Sequence, residues 1–92
     1  MAESIGSIIQ AWLRQNNLEE DFREKSVPDY WTEIVGETFA RHAVLERVEH
    51  RRMVIKTENA TWKMEILARR EEIRRRVNER FGVEVIDEVF VI

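Results

Sequence analysis

Ile5, Ile8, Ile9, Trp12 and Leu13 recur at the i, i+3, i+4, i+7, i+8 spacing of a single helix face, so the chain is expected to open with an amphipathic helix. Ser7 with Gln10 three positions later supplies a capping box, and Ser4 competes with it for the start. Asn16-Asn17 interrupts the stripe, and Leu18 and Phe22 carry a short continuation to Lys25. The single proline, Pro28, suits a first helical turn, where its missing N–H costs nothing. It opens a second helix whose broad apolar face holds Tyr30, Trp31, Ile34, Val35 and Phe39. Gly36 follows directly on that face. A mid-helix glycine costs about 1 kcal/mol against alanine, and the expectation is that another element packs closely on its bare backbone.

The pattern then changes period. Ala43–Glu49 and Arg52–Glu58 alternate, and only His50-Arg51 separates them, which predicts a β-hairpin. Val44 and Val48 are expected on one face, as are Met53 and Ile55. Asn59 can cap a long helix running to about Phe81, with Trp62, Ile66, Leu67, Ile73, Val77 and Phe81 as its buried stripe and Gly82 as a left-handed C-cap. Val83–Ile92 closes as a strand. The order α-α-β-β-α-β describes an α+β domain. Its last strand joins the hairpin by a right-handed crossover, giving a small mixed three-stranded sheet covered on one face by helices. Trp12, Trp31 and Trp62 all lie on apolar stripes and are expected in the core.

Ninety-two residues allow one domain with one core, spanning residues 1–92. Hydrophobic residues make up 43% and charged residues 36%, which separates the chain from disordered sequences. The absence of cysteine excludes disulfides and thiolate metal sites and fits a reducing compartment. The first residues form neither a basic leader nor a long apolar run, so a cytoplasmic location and no membrane partner are expected.

Catalysis finds no footing. Ser4, Ser7 and Ser26 sit where caps are wanted. No two carboxylates share an apolar setting, and three isolated glycines make no phosphate loop. His42 and His50 lack a third ligand for zinc; His42, at a helix C-terminus, is expected to favour the dipole and an open carbonyl. The chain is therefore read as no enzyme, with no cofactor, no metal and no small-molecule substrate.

Charge adds a partner question. The net charge is -3, yet residues 1–40 carry eight acidic and three basic side chains, whereas residues 63–80 carry seven basic and four acidic. The candidate binding residues are Lys63, Arg69, Arg70, Arg74, Arg76 and Arg80 on the long helix, extended by Arg51, Arg52 and Lys56 on the hairpin. Guanidinium groups can grip phosphate with two parallel hydrogen bonds. On a helical wheel Arg69, Arg76 and Arg80 share a side, while Arg70 and Arg74 lie nearer the buried stripe. The plainer alternative is a solvated face, its arginines paired at i,i+3 or i,i+4 with Glu65, Glu71, Glu72 and Glu79.

Trp31, Ile34-Val35-Gly36-Glu37 and His42, then Trp62 with Leu67, then Asn78 and Gly82, together resemble the DciA family of bacterial replicative-helicase loaders. The resemblance runs from about Ile5 to Ile92. It implies a KH-like domain acting as a non-enzymatic adaptor that contacts a DnaB-type helicase, with single-stranded DNA or RNA as a further partner. The family also contains chains described as nucleic-acid-binding, some with a zinc ribbon. This sequence departs from those in having no cysteine, no extended basic tail, and no Gly-x-x-Gly loop of the kind that lets KH domains clamp nucleic acid. Two rival readings stand beside the adaptor. One is a stand-alone nucleic-acid-binding module using the arginine-rich helix over 63–80. The other is an oligomerisation domain whose apolar edge pairs with itself.

Overall fold

Ala43–Glu49 (β1) and Arg52–Thr57 (β2) pair antiparallel, with Ala43 opposite Thr57 and Glu49 opposite Arg52. The structure is a computed structural model that describes residues 4–92; residues 1–3 of the expected domain lie outside the described residues. His50 and Arg51 connect the strands with φ of 51° and 62°, the left-handed backbone a two-residue hairpin turn demands. No glycine eases this turn. It is held by contacts instead: the Arg51 backbone N–H donates to Glu24 Oε1 at 2.9 Å, and Glu24 is buried there.

Glu88–Val91 (β3) lies parallel to β2, with Met53 opposite Val89 and Ile55 opposite Val91, so the sheet order is β1-β2-β3. The expected α+β class and mixed three-stranded sheet are both present. The final strand is shorter than anticipated, because Val83–Asp87 is irregular. That segment is fastened to the preceding helix by Asn78, whose Oδ1 accepts from Val85 N–H at 2.8 Å and Ile86 N–H at 3.0 Å while its Nδ2 donates to Ile86 O at 3.1 Å.

Met53, Ile55, Val89 and Val91 share the covered face of the sheet with Ala43 and meet Val27, Trp31, Ile34, Ile66, Ile73 and Val77 in the core. Trp31 is 7% exposed, and its indole N–H donates to Ala43 O at 2.9 Å. The register of β1 shifts between Leu45 and Arg47. This bulge lets Ala43, Leu45 and Val48 face inward and turns Val44 out into solvent, against the expected pairing of Val44 with Val48.

Both predicted long helices are divided. Ile5–Gln15 (α1) starts at Ser4, whose Oγ accepts from Ser7 N–H at 3.1 Å, so the Ser4 cap prevails over Ser7. Glu19–Ser26 (α2) follows, then a 3-10 turn over Val27–Tyr30 that holds Pro28. Trp31–Val35 (α3) and Glu37–His42 (α4) come next, separated by Gly36. Gly36 has φ 88° and ψ 158°, and a Cβ built there would meet nothing within 4 Å. The close-approach expectation is therefore overturned: this glycine is needed for a backbone conformation that side chains forbid.

Asn59 caps Ala60–Ala68 (α5) as expected, accepting from Trp62 N–H at 3.1 Å. The helix then breaks at Arg69, with φ -107° and ψ 9°, before Arg70–Phe81 (α6). Gly82 ends α6 in the left-handed conformation expected of it. The expected core position of the α1 stripe is corrected more sharply. Only Leu13 is buried, while Trp12 is 54% and Ile5 76% exposed; Trp62 is half-buried. Among the described residues the rest of the α1 stripe stays about half exposed or more, and the molecule is long and narrow, 53 × 24 × 18 Å.

Candidate partner-binding surface

The arginines of α5–α6 fall on two sides: Arg69, Arg76 and Arg80 share one as expected, whereas Arg70, expected near the buried stripe, is exposed beyond the break at Arg69. Arg69, Arg76 and Arg80 turn toward α3 and α4. The Arg69 guanidinium lies 4.8 Å from the Phe39 ring centroid and bonds Glu65 at 2.7 Å. Arg76 donates to Ile34 O at 3.0 Å and pairs with Glu72 at 2.7 Å. Arg80 lies 4.0 Å over the Tyr30 ring, itself edge-on to Phe81 at 5.7 Å, and donates from Nε to Glu33 at 3.0 Å. The bond to Glu33 raises the Arg80 pKa. These three side chains stitch α6 and the break that precedes it to the segment around α3 and α4.

Further along, Arg74 donates to Glu71 from two nitrogens and Arg75 pairs with Glu79 at 3.1 Å. The hydrogen bond from Arg74 lowers the Glu71 pKa and, reciprocally, raises that of Arg74. The i,i+3 and i,i+4 pairs along α5–α6 are thus formed: the basic run is largely neutralised by its own glutamates.

Arg51 is also engaged within the molecule. Its Nε and one Nη bind the two oxygens of Asp87, each at 2.7 Å, and its other Nη donates to Glu84 O at 3.0 Å. Glu20 stands at 3.6 Å. The paired hydrogen bonds hold the Asp87 carboxyl below its ordinary range and the Arg51 guanidinium above its own.

Arg52, Lys56, Lys63 and Arg70 remain, and among the described residues these four candidates form no ion pair. Arg52 and Lys56 stand on the sheet face that the helices leave uncovered. There Lys56 is opposite Val44, and Val54 lies between Arg47 and Phe90. Val54 is buried, whereas Phe90 is 45% exposed and Val44 and Ile92 are open to solvent. Arg70 approaches this surface across a shallow groove of about 270 Å³ between α6 and β3, lined also by Arg74, Phe90 and the carboxylates Glu71, Asp87 and Glu88. The structure therefore gathers Arg52, Lys56 and Arg70 around an apolar centre, places Lys63 exposed on α5, and separates them from Arg69, Arg76 and Arg80.

Val44, Phe90 and Ile92 did not figure among the sequence candidates. For Phe90 and Ile92 the signal is Val89-Phe90-Val91-Ile92, apolar at every position, where a strand covered on one face alone should alternate; for Val44 the pattern gives none. His42 also departs from expectation. Instead of an open carbonyl, its Nδ1 meets Glu58 Oε2 at 2.5 Å, and its ring stacks on Trp62 at 4.2 Å and 7°. Among the described residues no cluster of His, Asp and Glu could hold a metal ion, and no helix is long and apolar enough to cross a membrane.

Residues 4–91 match the family model described as "Dna[CI] antecedent, DciA". The chain belongs to the DciA family. A UPF0232 protein of Corynebacterium glutamicum (strain R) is 24% identical over 88 residues, covering 96% of this chain and 49% of that relative. The chain thus spans about half the length of this curated relative. Several residues that carry the DciA resemblance hold the scaffold: Trp31 bonds β1, Asn78 fastens the approach to β3, and Gly36 and Gly82 supply positive φ. In this DciA domain they mark framework rather than contact surface.

Proposed function

We propose that this domain is a non-enzymatic adaptor of bacterial DNA replication that docks on a DnaB-type replicative helicase through its uncovered sheet face. The observation that carries the role is the DciA match over essentially the whole chain. The choice of face rests on its make-up. Val54 in the middle strand, with the exposed Phe90 and Ile92 on β3 and Val44 on β1, forms an apolar middle. Arg52, Lys56 and Arg70, which form no ion pair among the described residues, and Glu49 and Glu88 opposite Arg52 give it the polar border of a protein interface. Lys56, which stands opposite Val44 rather than a carboxylate, favours an acidic group on the partner. The KH-like fold implied by the resemblance is supported by the order of elements around the mixed sheet. With no Gly-x-x-Gly loop, contacts to a partner fall to side chains.

Titration of a purified DnaB-type hexamer against the immobilised domain tests this. Phe90→Ala, and Lys56→Glu combined with Arg70→Glu, should each weaken binding at least about tenfold, the loss typical of an interface anchor, with melting unchanged. Full affinity in both variants means the contact lies elsewhere. No binding by the unaltered chain removes the helicase assignment.

A second reading follows from Phe90 itself: an exposed ring among cations is also a stacking platform for single-stranded DNA or RNA. If Arg52, Lys56, Lys63 and Arg70 each meet a phosphate, the logarithm of affinity should fall with the logarithm of salt at a slope of about -3. Fluorescence anisotropy with a labelled oligonucleotide measures it, and absence of binding in low salt ends that reading.

A further inference from the structure

We infer that α1 is a self-association helix: its Ile5-Ile8-Ile9-Trp12 stripe packs antiparallel against the same stripe of a second copy of this chain. This stands apart from the helicase reading and uses a different surface. An isolated helix of fewer than about 12–15 residues is marginal in water, so an 11-residue helix depends on tertiary cover. Here Leu13 alone is buried, while Ile8, Ile9 and Trp12 are each about half exposed and Ile5 more so.

Three observations select a second copy as the cover. The first is charge. In a chain that is 36% charged, Arg14 is the one charged residue from Ser4 to Leu18, and it lies off the apolar stripe. The stripe itself offers nothing for a charged partner to complement, and the charges beside it, Arg14, Glu19 and Arg23, are paired with one another, which limits repulsion in a like-on-like contact. The second is extent. With the neighbouring Leu18 and Phe22, six large apolar side chains stand 36% to 76% exposed on this segment, the kind of side chain that fills the centre of an interface. The third is shape. Beside the Trp12 ridge runs a groove of about 500 Å³, with Gly6, Ile9, Leu13, Phe22 and Phe81 as its apolar lining and Arg14, Glu19 and Arg23 as its charged lining.

A two-fold axis near Ile8-Ile9 brings each Trp12 to the first turn of the other helix. There Gly6 leaves room, since a Cβ at that position would meet only Ser4 Oγ at 3.8 Å. Ridge and groove are thus exchanged symmetrically, as an isologous interface requires.

Sedimentation equilibrium of the full chain, from low to high micromolar, should show the mass rising from one chain to two and stopping there. Ile8→Glu should raise the dissociation constant at least tenfold without altering the melting of a dilute sample; if it impairs folding, Trp12→Gln replaces it. Gly6→Leu provides the discriminating arm. It adds apolar surface but fills the groove, so the specific pair weakens, whereas unspecific adhesion would strengthen. A single mass at every concentration overturns the proposal. So does a pair unaffected by Ile8→Glu, or association that runs past two chains without a plateau.

Discussion

The Arg51 guanidinium grips the Asp87 carboxylate with two parallel hydrogen bonds of 2.7 Å, tying the hairpin turn to the residue that leads into β3. The turn needs this hold. Both of its central residues have positive φ, unfavourable for side chains larger than glycine, and Glu24 fixes the Arg51 backbone from the other side. Arg51 is thereby a structural clamp in this domain.

That clamp makes stability depend on acid. Its hydrogen bonds to Arg51 hold Asp87 below the usual carboxylate range. The contribution is complete above the unfolded pKa and disappears as pH falls through the lower folded value. Asp87→Asn should melt earlier than the unaltered chain at neutral pH, with a gap that closes in strong acid and narrows in high salt. Thermal melts across pH and salt check this; a gap that persists in acid would assign Asp87 a role other than its charge.

Trp31 should be the most costly tryptophan to lose. Trp31→Ala removes a buried ring and is expected to cost about 3–5 kcal/mol. Trp31→Phe keeps most of the packing but leaves Ala43 O without its donor, a loss of about 1–3 kcal/mol. Trp12→Ala, in a dilute sample, should fall within about 0.5 kcal/mol of the unaltered chain. Chemical denaturation of the three variants ranks them.

Gly36→Ala should destabilise by about 1–3 kcal/mol through the backbone alone. No neighbour obstructs an added methyl group, so no repacking of nearby side chains should relieve the loss. Gly82→Asn should be milder, because asparagine tolerates the left-handed region that Gly82 occupies. Denaturant midpoints decide: equal effects at both sites would contradict the conformational account.

Asn78→Ala deletes the acceptor for Val85 and Ile86 N–H and the donor to Ile86 O. Leaving partly buried groups unpaired should cost about 2–3 kcal/mol. Amide exchange should accelerate first over Val83–Asp87 and β3, while β1 and β2 stay protected.

The sequence pattern located the hairpin, its two-residue turn, the buried pair Met53 and Ile55, the Asn59 cap and the Gly82 terminus, because each rests on local periodicity or backbone chemistry. Other features depended on information that spacing does not hold. The α1 stripe announces an apolar face without saying whether the same chain covers it. A glycine between helical residues reads alike whether a neighbour approaches closely or φ is positive. The break at Arg69 has no proline or glycine to mark it, and the bulge that turns Val44 outward is invisible to alternation.

The arginines show the same limit at the candidate surface. Their abundance over 63–80 is plain in the sequence, and so are the glutamates within reach. Which cations stay unpaired depends on distant segments: Glu33 engages Arg80, Ile34 O engages Arg76, and Asp87 engages Arg51. Sorting Arg52, Lys56, Lys63 and Arg70 from the rest therefore required tertiary structure.

The bulge in β1 has one more consequence. A kinked border strand carrying the exposed, charged Glu46, Arg47 and Glu49 is a poor template for a neighbouring molecule's backbone. On this side of the sheet, edge-to-edge pairing between crowded copies is thus disfavoured, which leaves β3 as the border open to it.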